Sequence, residues 1–204
     1  MEIYKYSEVE LEYLKKKDKK LAFAIEEIGM IERKVTPDLF TALANSIVSQ
    51  QISTKAALTV WNRIQERLGE ITPQTIAAAS VEDIRQCGLS MRKVNYLKGI
   101  SEAVIQGKLQ LSAFSTLTDE EIIKRLSSLN GIGVWTAEML LIFSLQRPDV
   151  VSWGDLGIRR GMINLYGLKS ITKEQFDRYR KRYSPYGSVA SLYLWELGNK
   201  ANLR

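Results

Sequence analysis

Signals that start and stop helices recur along this chain, whereas the apolar–polar alternation typical of strands is nearly absent. Capping boxes precede apolar residues at helical spacing at Ser7–Glu10, Thr118–Glu121 and Thr172–Gln175. Thr36-Pro37 places a proline in the first turn of another such segment, and Gly69 follows the end of one. The pattern predicts about ten short helices joined by brief connections, and therefore an all-α fold.

The length and composition predict one folded domain. The 204 residues are 45% hydrophobic and 25% charged, as in globular proteins, and they suffice to bury a large core. Low-complexity segments and long linkers are absent, which favours a single unit of two helical lobes over residues 1–204. No apolar segment is long enough for a membrane helix, and the lysine-bearing N-terminus lacks the apolar core of a signal peptide. We therefore expect a cytoplasmic, nucleoid-associated protein with no membrane partner.

The residue types that the chain lacks exclude several kinds of chemistry. It contains no histidine and a single cysteine, Cys87. An internal disulfide, an iron–sulfur cluster, the usual zinc sites, and Ser-His or Cys-His catalysis are therefore excluded. Any reaction must use carboxylates, hydroxyls, amines or backbone groups. The net charge of +6 and the pI near 9.3 favour a polyanionic partner.

One glycine-rich turn stands between two helix-patterned segments, at Leu129–Trp135. Gly131 and Gly133, separated by Ile132, let the backbone bend sharply and approach a phosphate with no side chain in the way. An ordinary helix C-cap explains such glycines equally well. Further along the chain, Asp155 lies in an apolar segment flanked by glycines, and this pairing of features favours the phosphate interpretation.

The segment Gly131–Ala137 reads Gly-Ile-Gly-Val-Trp-Thr-Ala and matches, residue for residue, a Gly-Ile-Gly-x-Trp-Thr-Ala pattern. With Asp155, it resembles the alkylpurine branch (DNA-3-methyladenine glycosylase II) of the helix-hairpin-helix DNA glycosylase superfamily. The resemblance covers roughly residues 36–200. It implies a two-lobed helical bundle with an active-site cleft between the lobes. Residues 1–35 and about 160–204 would form one lobe, and about 36–159 the hairpin lobe.

The resemblance implies an enzyme that flips an alkylated purine out of double-stranded DNA and hydrolyses its N-glycosidic bond, leaving an abasic site for base excision repair. Asp155 would be the catalytic residue. The preference of Asp for helix N-caps explains it structurally, and the two roles are compatible, because N–H donors stabilise an ionised carboxylate. That carboxylate would stabilise an oxocarbenium-like sugar. The protein is expected to act as a monomer.

Trp135 occupies the position at which bifunctional members of the superfamily carry a Schiff-base lysine, which implies a monofunctional enzyme without lyase activity. Trp135, Met139, Trp153 and Tyr186 would form the base pocket, where an electron-rich ring attracts a cationic base. Core packing is the alternative for Trp135, and a hydrophobic staple is the alternative for Trp153. Gly187 replaces the arginine that follows this aromatic residue in the family.

The resemblance also implies the DNA contacts. Gln50 and Gln51 match a glutamine-rich turn, and Gln51 would fill the gap left by the flipped nucleotide. An interhelix turn that satisfies its own backbone is the alternative. The hairpin would contact DNA through Gly131, Gly133, Val134 and Thr136. No cofactor is required, but backbone carbonyls of Ser127, Leu129 and Ile132 match positions that often hold a monovalent Na⁺ or K⁺ ion.

Other residues are predicted to lie outside the site. Trp61 and Trp195 have the spacing of core residues, and the lysines between Lys15 and Lys20 are typical of a solvated helix face. Two other functions remain open. One is a non-catalytic helix-hairpin-helix module that binds duplex DNA, and the other is a mismatch or oxidised-base glycosylase on the same scaffold.

Overall fold

The computed structural model describes residues 2–200, and these are predominantly helical, as the cap pattern predicts. Two short strands, β1 (Glu2–Ile3) and β2 (Lys34–Val35), pair antiparallel. A 3₁₀ helix spans Leu111–Thr116. The α-helices are α1 (Glu8–Lys17), α2 (Lys19–Ile28), α3 (Leu39–Ser49), α4 (Thr54–Leu68), α5 (Pro73–Ala78), α6 (Val81–Gln86), α7 (Met91–Ile105), α8 (Asp119–Ser127), α9 (Val134–Phe143), α10 (Leu156–Tyr166), α11 (Lys173–Tyr183) and α12 (Gly187–Lys200).

The three predicted capping boxes are present at the predicted positions. Pro37, which was predicted to lie in the first turn of a helix, instead precedes α3, because the Asp38 side chain caps that helix. Ser7, Thr118 and Thr172 each accept a hydrogen bond from a backbone N–H in the first turn of α1, α8 and α11 respectively. In all three, the side chain of the third helical residue bonds back to the cap, which completes the capping box. The β1–β2 ribbon was not predicted, because a strand of two residues is too short to show alternation.

The chain divides into two compact units. The first unit joins residues 1–35 to residues 141–204, and the second unit is Thr36–Leu140. The hairpin lobe was predicted to extend to about residue 159, whereas the unit that holds the hairpin ends at Leu140. Asp155 therefore belongs to the first unit, together with the N-terminal helices. The physical reason is that α10 packs against α12 of its own unit.

The second unit is organised around apolar side chains that α3, α7 and α8 bury completely. Leu43, Val94 and Leu126 have no exposed surface, and Phe114 of the 3₁₀ helix is equally buried. Burial of a side chain of this size contributes about 1.5–3 kcal/mol. The anchored α8 fixes the start of the glycine-rich turn that follows it.

In the first unit, α10 and α12 approach each other through glycines. A Cβ atom on Gly161 would lie 1.9 Å from the Leu194 carbonyl oxygen. A Cβ atom on Gly198 would lie 2.4 Å from the carbonyl oxygen of Gly157. The helix backbones are therefore in direct contact, which a side chain at Gly161 or Gly198 would prevent.

A buried carboxylate ties α2, α10 and α11 together. Asp18 is 3% exposed and caps α2 by accepting the Leu21 N–H at 3.1 Å. Its other oxygen accepts the Tyr166 hydroxyl at 2.6 Å and the Arg182 guanidinium at 2.9 Å. Burial alone raises the pKa of the Asp18 carboxyl, but the bonds from Tyr166, Leu21 and Arg182 outweigh it, and the pKa is lowered.

Because the pKa of Asp18 is lowered in the folded state, its carboxylate stabilises the fold at pH values above the pKa of an unfolded Asp, which is about 3.9. This stabilisation is lost as the pH falls through the folded-state pKa. Asp18→Asn should lower the free energy of unfolding by about 3 kcal/mol at neutral pH. Urea unfolding of both proteins between pH 7 and pH 3 measures the difference. We expect that difference to shrink below about pH 4. A difference that is constant over this range would contradict the assignment.

Candidate functional site

The glycine-rich turn lies between α8 and α9, as predicted. Gly131 has a φ of +90°, a conformation that L side chains rarely adopt. A Cβ atom there would also lie 2.4 Å from the ring of Tyr96. Ile132 is 4% exposed, and its N–H donates to the Leu129 carbonyl at 3.1 Å. Gly131 is therefore needed for the turn itself.

The second glycine of the turn has different surroundings. Nothing lies within 4 Å of the position that a Cβ atom on Gly133 would occupy. Val134 and Trp135 begin α9 and are 55% and 49% exposed, and Thr136 is half-buried. The first turn of a helix carries N–H groups that the helix does not bind and the positive end of its dipole. Gly133 thus leaves room for a ligand to approach this helix terminus.

The glutamine turn between α3 and α4 is tied to the hairpin. The Gln50 side-chain amide donates to the Gly131 carbonyl at 2.6 Å. The Lys93 amine donates to the carbonyls of Val48 and Gln50 at 2.7 and 2.6 Å. Burial, and to a lesser extent the charge of Arg92, lower the pKa of Lys93. The structure therefore shows Gln50 holding the two turns together, a role that the sequence did not indicate.

Gln51 is exposed at the tip of this turn and has a φ of +59°. Such a conformation costs a non-glycine residue of order 1–3 kcal/mol and is often found at functional sites. Its side-chain carbonyl accepts a hydrogen bond from Arg92 at 3.3 Å. The exposed position and the strained backbone suit the predicted insertion into DNA, which stays a prediction.

The cation positions lie in and just before the hairpin turn. The Leu129 carbonyl accepts the Ile132 N–H, and Ser127 is the last residue of α8. Over residues 2–200, no group of three or more Cys, Asp or Glu side chains is arranged to hold a metal ion. A cation held by the backbone carbonyls of Ser127, Leu129 and Ile132 remains a prediction.

Asp155 is the N-cap of α10, and it is 7% exposed. Its Oδ1 atom accepts the Ile158 N–H at 2.8 Å, as the cap interpretation predicts. The same oxygen accepts the indole N–H of Trp195 from α12 at 3.0 Å. Donors from two helices therefore fix the carboxylate in one orientation.

Trp195 contacts the candidate catalytic residue, although it was not predicted to belong to the site. It was predicted to be a core residue, but it is half-buried and bonds to Asp155, and its ring centroid lies 5.4 Å from that of Phe143. A Cβ atom on Gly157 would lie 2.8 Å from the Trp195 ring. The indole can therefore reach Asp155 only because position 157 is a glycine. The spacing of Gly157 and Gly161 places both glycines on one face of a helix, which is typical of a close helix contact. The sequence does not show that α12 is the helix in contact.

Of the predicted pocket residues, Trp135 and Met139 belong to the second unit, and Trp153 and Tyr186 belong to the first. Trp135 and Met139 are one helical turn apart on the same face of α9, and Trp135 is too exposed for the core alternative. Trp153 packs edge-on against Phe176 with the ring centroids 5.2 Å apart. The Arg159 guanidinium lies 5.0 Å from the Trp153 ring. Trp153 therefore packs on α11, and its contact with α10 is with a cation. The hydrophobic staple onto α10 that was its alternative is not shown by these contacts, and its place in the base pocket stays a prediction.

Residues 44–185 match the family model described as HhH-GPD superfamily base excision DNA repair protein. The chain belongs to this superfamily. It is 39% identical over 168 residues to DNA-3-methyladenine glycosylase 1 of Schizosaccharomyces pombe, a match that covers 80% of this chain and 74% of that protein. This membership agrees with the predicted family, including its alkylpurine branch.

Two solved structures of the superfamily are similar to this one. A DNA-3-methyladenine glycosidase from Bacillus halodurans superposes with a TM-score of 0.89 at 34% identity, covering 100% of this chain and 95% of that chain. A 3-methyladenine DNA glycosylase from Schizosaccharomyces pombe, solved in complex with abasic DNA, gives 0.78 at 34% identity, covering 92% and 95%. These likenesses confirm the all-α superfamily fold. No helix within residues 2–200 has both the length and the apolar character to span a membrane.

This member departs from the superfamily resemblance at Gly187, which stands in place of an arginine. The Gly187 N–H donates to Asp149 at 3.1 Å, and a Cβ atom there would lie 2.6 Å from the same carboxylate oxygen. The position therefore has no room for a side chain, and only glycine fits there. The preceding Tyr186 packs edge-on against Tyr13 of α1, with ring centroids 5.1 Å apart. Its predicted place in the base pocket rests on the resemblance alone.

The two hairpin glycines should respond differently to alanine. Gly131→Ala should destabilise the fold by about 1–3 kcal/mol, because of its φ and the Tyr96 contact. Gly133→Ala should leave stability nearly unchanged but weaken binding to duplex DNA. Thermal unfolding and a DNA-binding titration measure the two effects. Equal affinity of Gly133→Ala and the unmodified protein would show that DNA does not approach this glycine.

Proposed function

We propose that this protein is a DNA glycosylase that excises alkylated purines by hydrolysing the N-glycosidic bond and leaves an abasic site in base excision repair. The observation that carries the proposal is the Asp155 carboxylate, which the Ile158 N–H and the Trp195 indole hold in one orientation. Membership of the HhH-GPD superfamily and the likeness to proteins named DNA-3-methyladenine glycosylase support it.

The proposed reaction breaks the bond between the sugar C1′ and the purine nitrogen. As the base leaves with the bonding electrons, positive charge develops on the sugar, and the Asp155 carboxylate stabilises that charge. A water molecule, oriented or deprotonated by the same carboxylate, adds to C1′. An alkylated purine that carries a positive charge leaves as a neutral base. Such a leaving group needs little help from a general acid, which suits a chain without histidine.

Trp135 is the residue proposed to recognise the base. Its ring is 49% exposed at the start of α9, and Met139 follows on the same helix face. The face of an indole attracts a cation, so a positively charged purine gains more from stacking there than a neutral one. The segment from Ser128 to Leu145 contains no lysine. The proposed enzyme is therefore monofunctional and forms no Schiff base.

The partner is proposed to be double-stranded DNA containing alkylated bases, bound by a monomer inside the cell. The hairpin glycines and the first turn of α9 contact a phosphate, and Gln51 fills the space that the flipped nucleotide vacates. A Na⁺ or K⁺ ion at the hairpin carbonyls is an optional part of this contact.

Base release from methylated duplex DNA tests the proposed function. The protein should release methylated purines and leave intact strands with abasic sites. Asp155→Asn keeps a cap acceptor but removes the charge, so release should fall about a hundredfold to a thousandfold while DNA affinity is retained. Asp38→Asn, which alters the N-cap of α3, is the matched control and should not change release. Binding without release by the unmodified protein would support the non-catalytic alternative.

Trp195→Phe tests whether the indole N–H orients Asp155. The ring remains next to Phe143, but the hydrogen bond to the carboxylate is lost. We expect the rate constant for release to fall roughly tenfold to a hundredfold, with little change in DNA affinity.

The matched control is Tyr193→Phe. It removes another hydrogen bond of α12, from the hydroxyl to the Gly29 carbonyl at 2.9 Å. It should cost about 1 kcal/mol of stability and leave the rate unchanged. Equal rates for the two variants would contradict the orienting role of Trp195.

A further inference from the structure

The positive charge of this chain is concentrated in one segment. Residues 159–182 contain eight basic and two acidic residues, and the other 180 residues contain 21 of each. The segment therefore accounts for the whole net charge of +6. It covers most of α10 and α11 in the first unit. We call its basic side chains the α10–α11 basic surface: Arg159, Arg160, Lys169, Lys173, Arg178, Arg180, Lys181 and Arg182.

Six of these eight side chains are exposed, and aromatic rings hold several of them in place. Arg178 and Arg182 lie 5.6 and 5.0 Å from the Tyr179 ring, which stacks on Tyr166 with the centroids 3.7 Å apart. Cations that are held over rings lose less conformational freedom when they bind an anion. Lys20 of α2 lies next to this surface, because its Nζ atom is 5.8 Å from the centroid of the Tyr166 ring.

Few carboxylates neutralise this surface. Lys173 pairs with Asp177, and Arg182 pairs with the buried Asp18. The three cations in the last turn of α11 have a structural explanation, because cations stabilise a helix C-terminus. That explanation does not cover Lys169 or Arg178, which lie outside the last turns of α10 and α11.

We propose that the α10–α11 basic surface binds the phosphate backbone of duplex DNA, independently of base sequence. The proposal rests on the proposed function only in taking DNA as the polyanion. Charge complementarity carries it: an excess of six positive charges within 24 residues, with six of the eight basic side chains exposed, favours binding to the negatively charged phosphates of a duplex. Backbone contacts of this kind supply affinity and position a protein without reading the sequence. The lysines from Lys15 to Lys20, predicted to be a solvated face, contribute Lys20 to this surface.

The test is the salt dependence of binding to a lesion-free duplex. The triple variant Lys169→Gln, Arg178→Gln and Lys181→Gln removes three exposed charges that make no ion pair with a described carboxylate within 4 Å. Each lost phosphate contact should reduce the slope of log K against log salt by about 0.9. We expect the slope to fall by about 2–3 for the triple variant.

The matched control is the triple variant Lys5→Gln, Lys34→Gln and Lys108→Gln, which lowers the net charge equally at exposed positions elsewhere. Its slope should change little. Equal slopes for both triple variants would overturn the proposal, because the effect would then follow net charge and not location. Thermal unfolding of both variants excludes a folding defect as the cause of weaker binding.

Base release by the unmodified protein separates this proposal from the proposed function. A protein that releases no base but loses the expected slope in the first triple variant still has the basic surface, although it is not a glycosylase. A protein that releases bases with equal slopes in both variants is a glycosylase without this surface.

Discussion

The position of the Asp155 carboxylate depends on a contact between α10 and α12 in which glycines take the place of side chains. Gly161 lies against the Leu194 carbonyl, and Gly198 lies against Gly157. Helices that pack through ordinary side chains have axes about 8–10 Å apart. The close approach at these glycines brings the Trp195 indole to the cap of α10, where it supplies a donor that a helix N-terminus alone does not have.

In the second unit, hydrogen bonds between segments that are distant in the sequence hold two turns together. Gln50 joins the glutamine turn to the hairpin, and Lys93 binds the carbonyls at the end of α3. These bonds hold the neighbouring Gln51 in a backbone conformation that few residues adopt without support from their surroundings. Two turns that are far apart in the sequence therefore form one preorganised structure, and preorganisation reduces the entropy that binding costs.

The net positive charge of the chain lies in the first unit. The second unit, Thr36–Leu140, contains ten basic and ten acidic residues, so the unit that holds the hairpin has no net charge. The binding proposed for the hairpin depends on backbone N–H groups and the helix dipole, which act over a short range. The attraction proposed for the α10–α11 basic surface acts over a longer range, limited by salt screening.

The sequence by itself determined the features that depend on neighbours within a few residues. The capping boxes at Ser7, Thr118 and Thr172, the positive φ at Gly131 and the cap at Asp155 are local hydrogen-bonding or steric effects, and they were predictable. The segment Gly131–Ala137, together with Asp155, indicated the family.

The tertiary structure decided which distant residues meet. Trp195 bonds to Asp155 across 40 residues, Gln50 to Gly131 across 81, and Tyr166 to Asp18 across 148. These contacts depend on which helix faces pack together, and that packing is set by the summed burial of many side chains. The periodicity of apolar residues shows which face of a helix is buried, but it does not show which other helix covers that face. The boundary between the units at Leu140 was not predicted for the same reason: it depends on the packing of α10 against α12.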